Sequence, residues 1–287
     1  MIWFKLPWRI TLVSAICLAL NSLFVNQALA QERSNSSTEQ TQQPANQQPP
    51  RRQQAATSRF VLPPLADRSA PGNREGAASR GTCPAIDTPL TALVPAFKPT
   101  SDRIGGGESV WSLTASVRPT FWFYVPYSTS SVRSAEFVLQ DREDNDVYST
   151  VVKLPDRPGV VSLSLPSTAH PLESGKMYHW FFKVSCTPQN ASSPVFVEGW
   201  VERVIPNSAL ARQLEAAVTP QQRIAVYAAN GIWHDALTTV GELRLDNPAN
   251  IALKADWNNL LQSVDLANIA AQPILPCCTS TLEQVSR

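Results

Sequence analysis

The feature that most constrains the fold is a series of eight short runs of β-branched and aromatic residues between residues 91 and 204. Proline, glycine, serine and aspartate separate the runs, which is typical of strands joined by tight turns. Strands at this spacing predict a mainly β chain, with an antiparallel sandwich of immunoglobulin or fibronectin III type. The predicted strands are Thr91–Val94, Leu113–Val117, Thr120–Tyr127, Ala135–Gln140, Val147–Leu154, Val160–Leu165, Met177–Cys186 and Val195–Val204.

One corner of the predicted sandwich carries a more specific pattern. Leu172, Gly175 and Tyr178 stand at the Leu-x-x-Gly-x-x-Tyr spacing that resembles the entry to strand F of fibronectin type III domains. The resemblance implies that the Tyr178 hydroxyl bonds to the backbone a few residues upstream and fixes the connection between the sheets. The residues at every second position after Tyr178 are expected to point inward.

The N-terminal thirty residues have the organisation of a cleavable secretory signal. Lys5 and Arg9 supply the positive end, residues 10–25 the apolar run, and residues 28–30 (Ala-Leu-Ala) the cleavage site. An uncleaved anchor is the alternative, but polar residues interrupt the apolar run and no basic stop follows it. We therefore predict a signal peptide over residues 1–30, export, and a periplasmic or extracellular location in the cell envelope.

Residues 31–80 are predicted to form a disordered leader, because glutamine, serine, proline and arginine dominate them. Such a segment buries too little apolar surface to offset its conformational entropy. Its seven arginines against four acidic residues leave transient contact with an anionic membrane surface open, beside a role as a spacer. The chain without its signal is close to neutral and lacks a basic stripe, which argues against a nucleic-acid partner.

After Pro206 the apolar period becomes helical, and residues 206–271 are predicted to form a small helical region behind the sandwich, which is placed at residues 81–205. Capping residues and prolines divide this region into four helices. The predicted helices cover residues 207–218, 220–230, 233–245 and 250–266. The tail, residues 272–287, is expected to be irregular.

The second and third of these helices are similar to one tetratricopeptide repeat. The matching positions are Tyr227, Gly231, Trp233, Ala236, Val240, Leu243 and Pro248. Gly231 and Ala236 would permit a close crossing of the two helices. A single repeat cannot bury its own apolar face, so we expect this hairpin to pack on the sandwich or on the helix over residues 250–266.

The chain as a whole resembles the cyanobacterial domain-of-unknown-function family 928. The carrying segments are Arg80–Cys83, Leu90–Pro95, Pro119–Pro126, Ala135–Leu139, Val161–Pro166 and Val197–Arg203. The resemblance continues weakly into the helices. It implies no activity, because none is assigned to that family, and it fits a cell-envelope setting.

Four cysteines remain after removal of the signal. An oxidising compartment permits disulfides, and we favour a bridge between Cys83 and Cys186, with two buried free thiols as the alternative. Cys277 and Cys278 are adjacent, and neighbouring Cα atoms are closer than disulfides prefer. We therefore expect those two to be incidental thiols, with pairing between chains or binding of a soft metal as alternatives.

No catalytic, cofactor or metal site is predicted. The three histidines, His170, His179 and His234, fall on a turn, a strand and a helix, and no nucleophile, metalloprotease or phosphate-loop motif accompanies them. His179 is expected to be partly exposed, and His234 with Asp235 to lie on an exposed helix face. The acidic residues 141–146 are interpreted as a solvated hairpin tip rather than a calcium loop. An unrecognised hydrolase is a remote alternative.

Aromatic residues outside the predicted core are the best functional lead. Rings occupy both faces of the strand over residues 120–127, so one set must face away from the space between the sheets. The candidate surface consists of Trp122, Tyr124, Phe181, Phe196 and Trp200. If the helices cover it, it is a buried seam; if not, it is a docking surface for protein or glycan.

The sequence thus favours a non-enzymatic interaction or scaffolding module with a protein partner in the envelope. Its sandwich and helical hairpin would form one unit, with Tyr227 and Trp233 contributing to partner binding. Binding of carbohydrate or peptidoglycan through the outward aromatic residues is the alternative.

Overall fold

Nine strands and five helices make up the part of the chain that this computed structural model describes, residues 60–63, 70–76, 83–84, 86–97, 108–186 and 194–278. The strands are β1 (Thr91–Ala92), β2 (Ala96–Phe97), β3 (Ser109–Thr114), β4 (Thr120–Val125), β5 (Val132–Gln140), β6 (Asp146–Val151), β7 (Gly159–Ser164), β8 (Met177–Cys186) and β9 (Val195–Arg203). The helices are α1 (Ser208–Ala216), α2 (Pro220–Ala229), α3 (Trp233–Asp246), α4 (Ile251–Gln262) and α5 (Ala267–Ala270). The prediction of a mainly β chain with short C-terminal helices is confirmed.

The strands form two sheets, of three strands in the order β1-β4-β7 and of six strands in the order β2-β3-β9-β8-β5-β6. One pair departs from the predicted antiparallel arrangement, because β3 runs parallel to β9 with Trp111 opposite Trp200. Five other strands separate this pair in the sequence, so no hairpin fixes their relative direction. The expectation of a wholly antiparallel sandwich is therefore wrong at this pair.

Strand β3 also begins earlier than the predicted strand over residues 113–117. Ser112 is 2% exposed and Thr114 is fully buried, and both hydroxyls bond to residues of α3. Because polar residues occupy inward positions of this strand, the expected alternation of apolar and polar residues is hidden.

Aromatic rings fill the space between the two sheets. Phe123 of β4 stacks on Phe182 of β8 with ring centroids 4.3 Å apart. Phe121 contacts Phe137 of β5 at 4.9 Å. At the predicted corner the Tyr178 hydroxyl accepts a hydrogen bond from the Glu173 backbone N–H at 3.0 Å, as the fibronectin resemblance implies.

The helices cover the opposite face of the three-stranded sheet. Trp122 of β4 contacts Trp257 of α4 edge to face, and its indole N–H donates to the Thr238 hydroxyl at 3.1 Å. Trp233, at the start of α3, donates to the Leu93 carbonyl at 2.8 Å and is fully buried. The three-stranded sheet therefore lies between the six-stranded sheet and the helices.

Two segments of the predicted disordered leader pack on this domain instead. Phe60 is 5% exposed and contacts Trp233. Residues 70–76 lie beside the sheets, and Asn73 exchanges two backbone hydrogen bonds with Glu198 of β9. The prediction of disorder is wrong for both segments, because backbone pairing and one buried ring compensate for their polar composition. The rest of the leader and the signal lie outside the described residues.

The beginning of the predicted irregular tail also pairs with a sheet. The Val160 N–H of β7 donates to the Pro273 carbonyl, and the Leu275 N–H donates to the Val160 carbonyl, both at 2.8 Å. Leu275 is 2% exposed. The tail thus covers the edge of the three-stranded sheet, a contact between distant residues that local composition does not reveal.

The predicted disulfide between Cys83 and Cys186 is confirmed, and it joins the segment before β1 to the end of β8. The structure also pairs Cys277 with Cys278, against the expectation that these adjacent cysteines stay free. Cys278 has a φ of 73°, a left-handed backbone conformation that accompanies this pairing.

Candidate interaction surface

The five aromatic residues that the sequence grouped into one surface lie in different sheets. Trp122 and Tyr124 belong to β4 in the three-stranded sheet and are 1% and 5% exposed. Phe181 of β8, with Phe196 and Trp200 of β9, belongs to the six-stranded sheet. The prediction of a single surface is therefore wrong, because β4 pairs with β1 and β7 and not with β8.

The second group stands on the face of the six-stranded sheet that points away from the three-stranded sheet. Opposite residues on β8 and β9 pair His179 with Trp200, Phe181 with Glu198 and Lys183 with Phe196. We call these six residues the outer aromatic surface. Phe196 is 37% exposed, and the other five are half-buried. This face keeps large apolar rings in contact with solvent.

Ring contacts hold the outer aromatic surface in a defined arrangement. His179 stacks face to face on Trp200, with centroids 4.3 Å apart and planes 9° apart. His179 also contacts Phe181 at 4.1 Å. Because His179 and Trp200 cover one face of each other, those two ring faces are closed to a stacking ligand.

Charged groups are interleaved with these rings. The Lys183 ammonium lies 5.3 Å from the centroid of Phe181. The His179 Nε2 atom lies 3.1 Å from a carboxylate oxygen of Glu198. Aromatic residues are enriched at protein–protein interfaces, and polar groups form the rims of those interfaces.

A second, smaller apolar cluster bounds this surface on one side. Trp111 and Met177 form it with Ala70, and Trp200 packs against it. The Trp200 indole N–H donates to the Pro71 carbonyl at 3.1 Å. The segment 70–73 therefore limits how far the outer aromatic surface extends toward β3.

A cleft of about 470 Å³ opens between the β5–β6 hairpin and the tyrosine corner. Its lining residues are Asp141, Arg142, Glu143, Val147, Glu173, Gly175, Lys176, Met177, Tyr178 and Glu202. The Asp141 carboxylate accepts hydrogen bonds from the Asn145 side chain and backbone and from the Glu143 backbone, and these lower its pKa. Its oxygens thus stabilise their own turn. Within the described ranges no group of three or more metal-ligating side chains occurs.

His234 is buried, contrary to the expectation of an exposed helix face. Its Nδ1 lies 3.1 Å from the Thr120 carbonyl and its Nε2 lies 2.9 Å from the Ser112 hydroxyl. Because a carbonyl only accepts, Nδ1 carries the proton and Nε2 accepts from Ser112. A serine hydroxyl that donates to a histidine is also the arrangement of a catalytic nucleophile and its base. Here both side chains are only 2% exposed, so they are shielded from solvent. Their geometry joins β3 and β4 to α3.

Asp235 extends the same polar contact between β3 and α3. Its carboxylate accepts from the Thr114 hydroxyl and the Ala115 N–H, both at 2.9 Å. Burial raises the pKa of this carboxyl, against the lowering effect of the two hydrogen bonds. One signal in the sequence points to this contact between β3 and α3: Ser112 and Thr114 place hydroxyl groups at alternate positions of β3.

Two comparisons complete these observations. A family model described as Domain of Unknown Function (DUF928) matches residues 75–274, a range that contains both sheets and all five helices. No curated protein matches the chain. Within the part of the chain that the structure describes, no helix is both long and apolar enough to cross a membrane.

Proposed function

Because the chain belongs to the DUF928 family, whose function is unknown, we propose a role from the geometry of its surface. The protein acts as an exported, non-enzymatic binding protein of the cell envelope. Its recognition site is the outer aromatic surface, and its partner is another envelope protein. The observation that carries this proposal is the exposure of Phe196 beside half-buried Phe181 and Trp200, on a face that the helices leave open.

The ring geometry favours a protein partner over a glycan. Sugars stack on the flat faces of aromatic rings, and one face each of His179 and Trp200 is taken by the other ring. Lys183 and Glu198 add a positive and a negative group beside the rings, which suits the mixed rim of a protein interface.

Export is part of the proposal and rests on two features. The N-terminal signal pattern predicts transfer across a membrane. The bridge between Cys83 and Cys186 supports it, because structural disulfides persist in oxidising compartments.

The experiment compares three forms of the full chain as immobilised bait for proteins extracted from the envelope of the source cells. Phe181→Ala with Phe196→Ala removes the two outer rings that have no inward packing role. Ile251→Ala is the matched control, since Ile251 is 83% exposed on α4 and lies on the helical side. We expect the unaltered chain and the control to retain the same partner and the double variant to lose it.

Two outcomes contradict the proposal. Retention of an identical set of proteins by all three forms excludes the outer aromatic surface as the recognition site. Co-sedimentation with purified peptidoglycan that the double variant loses, without any retained protein, assigns the surface to a glycan instead. Circular dichroism of each variant separates loss of binding from loss of folding.

A further inference from the structure

Residues 60–63, which we call the leader strap, lie on the turn between α2 and α3. The Phe60 ring contacts the Trp233 ring edge to face, with centroids 4.8 Å apart. The Val61 N–H donates to the Ala228 carbonyl at 2.9 Å. We call the receiving surface, formed by Ala228, Gly231 and Trp233, the hairpin groove.

The leader strap is held as an extended peptide ligand is held. Phe60 is 5% exposed, whereas Val61 and Leu62 are 52% and 47% exposed. Its contacts include one aromatic anchor that joins the main hydrophobic core, one backbone hydrogen bond and a proline against the groove. Extended peptides bind in this way, through main-chain bonds and pockets for selected side chains.

Gly231 makes the close approach of the leader strap possible. Its φ is +72°, and a Cβ atom there would lie 3.1 Å from two ring atoms of Pro63 and 3.1 Å from the Val61 carbonyl oxygen. Gly175 offers a matched comparison, because its φ is +74° and no atom of the described residues, apart from its own and those of its chain neighbours, lies within 4 Å of its Cβ position. The two glycines share a backbone conformation, and only Gly231 touches the strap.

The groove and the strap belong to different parts of the chain. The groove residues lie inside the range 75–274 that the family model matches, and the strap precedes it. Trp233 keeps its own anchor without the strap, since its indole N–H donates to the Leu93 carbonyl. The groove is thus a feature of the folded domain, to which a separate segment binds.

We propose that the hairpin groove is a peptide-binding site for an extended segment in which phenylalanine is followed three residues later by proline, and that the chain's own Phe60–Pro63 is its resident ligand. The resident strap keeps the groove closed to the same motif in another chain. This site is distinct from the outer aromatic surface, so either proposal can fail alone.

The probe is a fluorescein-labelled peptide with the sequence of residues 57–66, titrated by fluorescence anisotropy. Phe60→Ala in the full chain frees the groove, and Leu62→Ala is the control. A tethered ligand competes at an effective concentration of about millimolar, so we expect Phe60→Ala to bind the peptide at least about tenfold more tightly than the unaltered chain or the control. A peptide with alanine in place of its phenylalanine should not bind. Equal affinities for all three proteins overturn the proposal.

A second measurement does not depend on changing Phe60. Trypsin cleaves after Arg59, next to the strap, and a docked strap protects that bond. Asparagine adopts the left-handed conformation more readily than most residues. In Gly231→Asn its Cβ atom would lie only 3.1 Å from the Pro63 ring, so the strap must shift, whereas Gly175→Asn makes the same change in open space. We expect cleavage after Arg59 to be several-fold faster in Gly231→Asn than in Gly175→Asn. Equal rates in the two folded variants refute a groove that holds the strap.

Discussion

His234 is the residue whose surroundings most change its chemistry. Burial lowers its pKa to about 4 from the 6.5 of an unperturbed histidine, and the bond to the Thr120 carbonyl opposes this only in part. Between these two pH values the unfolded chain binds a proton that the folded chain does not. We therefore expect the contribution of His234 to the free energy of unfolding to be fully present above about pH 6.5 and to fall by about 3 kcal/mol as the pH drops to about 4.

Urea unfolding at several pH values between about 7 and 4 checks this, with His234→Gln as the control that cannot titrate. The variant should lose less stability over that interval. Asp235 contributes with the opposite sign, because its raised pKa costs stability as the pH rises above the usual aspartate range, and it does so in both proteins. Parallel curves for the two proteins would contradict the assignment to His234.

At the residue scale, the sequence predicts contacts that have a local spacing or few possible partners. Tyr178 belongs to a short pattern, and four cysteines allow only three sets of disulfide pairs, of which the sequence favours the one that joins Cys83 to Cys186. The burial of His234 could not be predicted in this way. Its partners, Ser112 and Thr120, are more than 110 residues away in the chain and carry no pattern that refers to a histidine.

At the scale of elements, the contact between α3 and β4 depends on a glycine. A Cβ atom on Gly241 would lie 2.5 Å from the outer ring of the Trp122 indole. Alanine ordinarily favours a helix over glycine by about 1 kcal/mol, and overpacking of a core costs about 1–3 kcal/mol. Because rigid ring atoms would have to move, the clash outweighs the propensity. We expect Gly241→Ala to lower the free energy of unfolding by about 1–2 kcal/mol in urea unfolding.

A double-mutant cycle with Trp122→Phe tests the cause. The smaller ring leaves room for the methyl group, so Gly241→Ala should be neutral or stabilising in the Trp122→Phe background. The indole bond to Thr238 is lost in Trp122→Phe both with and without Gly241→Ala, so its loss does not affect this comparison. Additive effects of the two substitutions would show that the clash with the indole is not the cause.

The sequence predicts most elements but not which strands are neighbours. The four predicted helices match α1 to α4 within a few residues, because caps and prolines mark their ends. Alternation gives the two faces of a strand but does not name its partner, and for this reason the sequence predicts one surface from rings of β4, β8 and β9. A signal was present, since rings on both faces of residues 120–125 are typical of a strand buried on both sides.

At the scale of the whole molecule, the N-terminal and C-terminal segments complete the domain. Composition averaged over residues 31–80 hid the apolar residues 60–62 and the pairing of residues 70–76. Composition reports the mean cost of ordering a segment, whereas a few backbone bonds and one ring suffice to order four to seven residues. Such contacts depend on a surface that forms only after the rest of the chain folds.

The tail supplies a test of this view. Leu275 is 2% exposed, and a Cβ atom on Gly159 would lie 2.5 Å from its Cδ1 atom, so the side chain fits closely against β7. Leu275→Ala should lower the free energy of unfolding by about 2–4 kcal/mol, the usual cost of a cavity at a buried leucine. Gln272→Ala is the control, since Gln272 is half-buried beside the same edge. An effect below about 1 kcal/mol at Leu275 would mean that the tail is not part of the core.

The disulfide connects the fold to the proposed export. Cys83 and Cys186 are separated by 103 residues, and closing a loop of that size stabilises the folded state by about 5 kcal/mol in the chain-entropy model. We expect Cys83→Ala with Cys186→Ala to lose stability on this scale in urea unfolding. Cys277→Ala with Cys278→Ala is the control, because adjacent cysteines enclose no loop.

The disulfide between Cys83 and Cys186 also allows the compartment of the protein to be tested. A chain that lacks residues 1–30 and stays in a reducing cytosol should contain Cys83 and Cys186 as thiols, because glutathione and thioredoxin keep cytosolic thiols reduced. The full precursor should instead yield a protein that begins at Gln31 and carries no free thiol at those two positions. Intact mass and thiol labelling of denatured protein from each fraction distinguish the two. An intact precursor in the cytosol with the bridge already formed would contradict export, since the disulfide would then need no oxidising compartment.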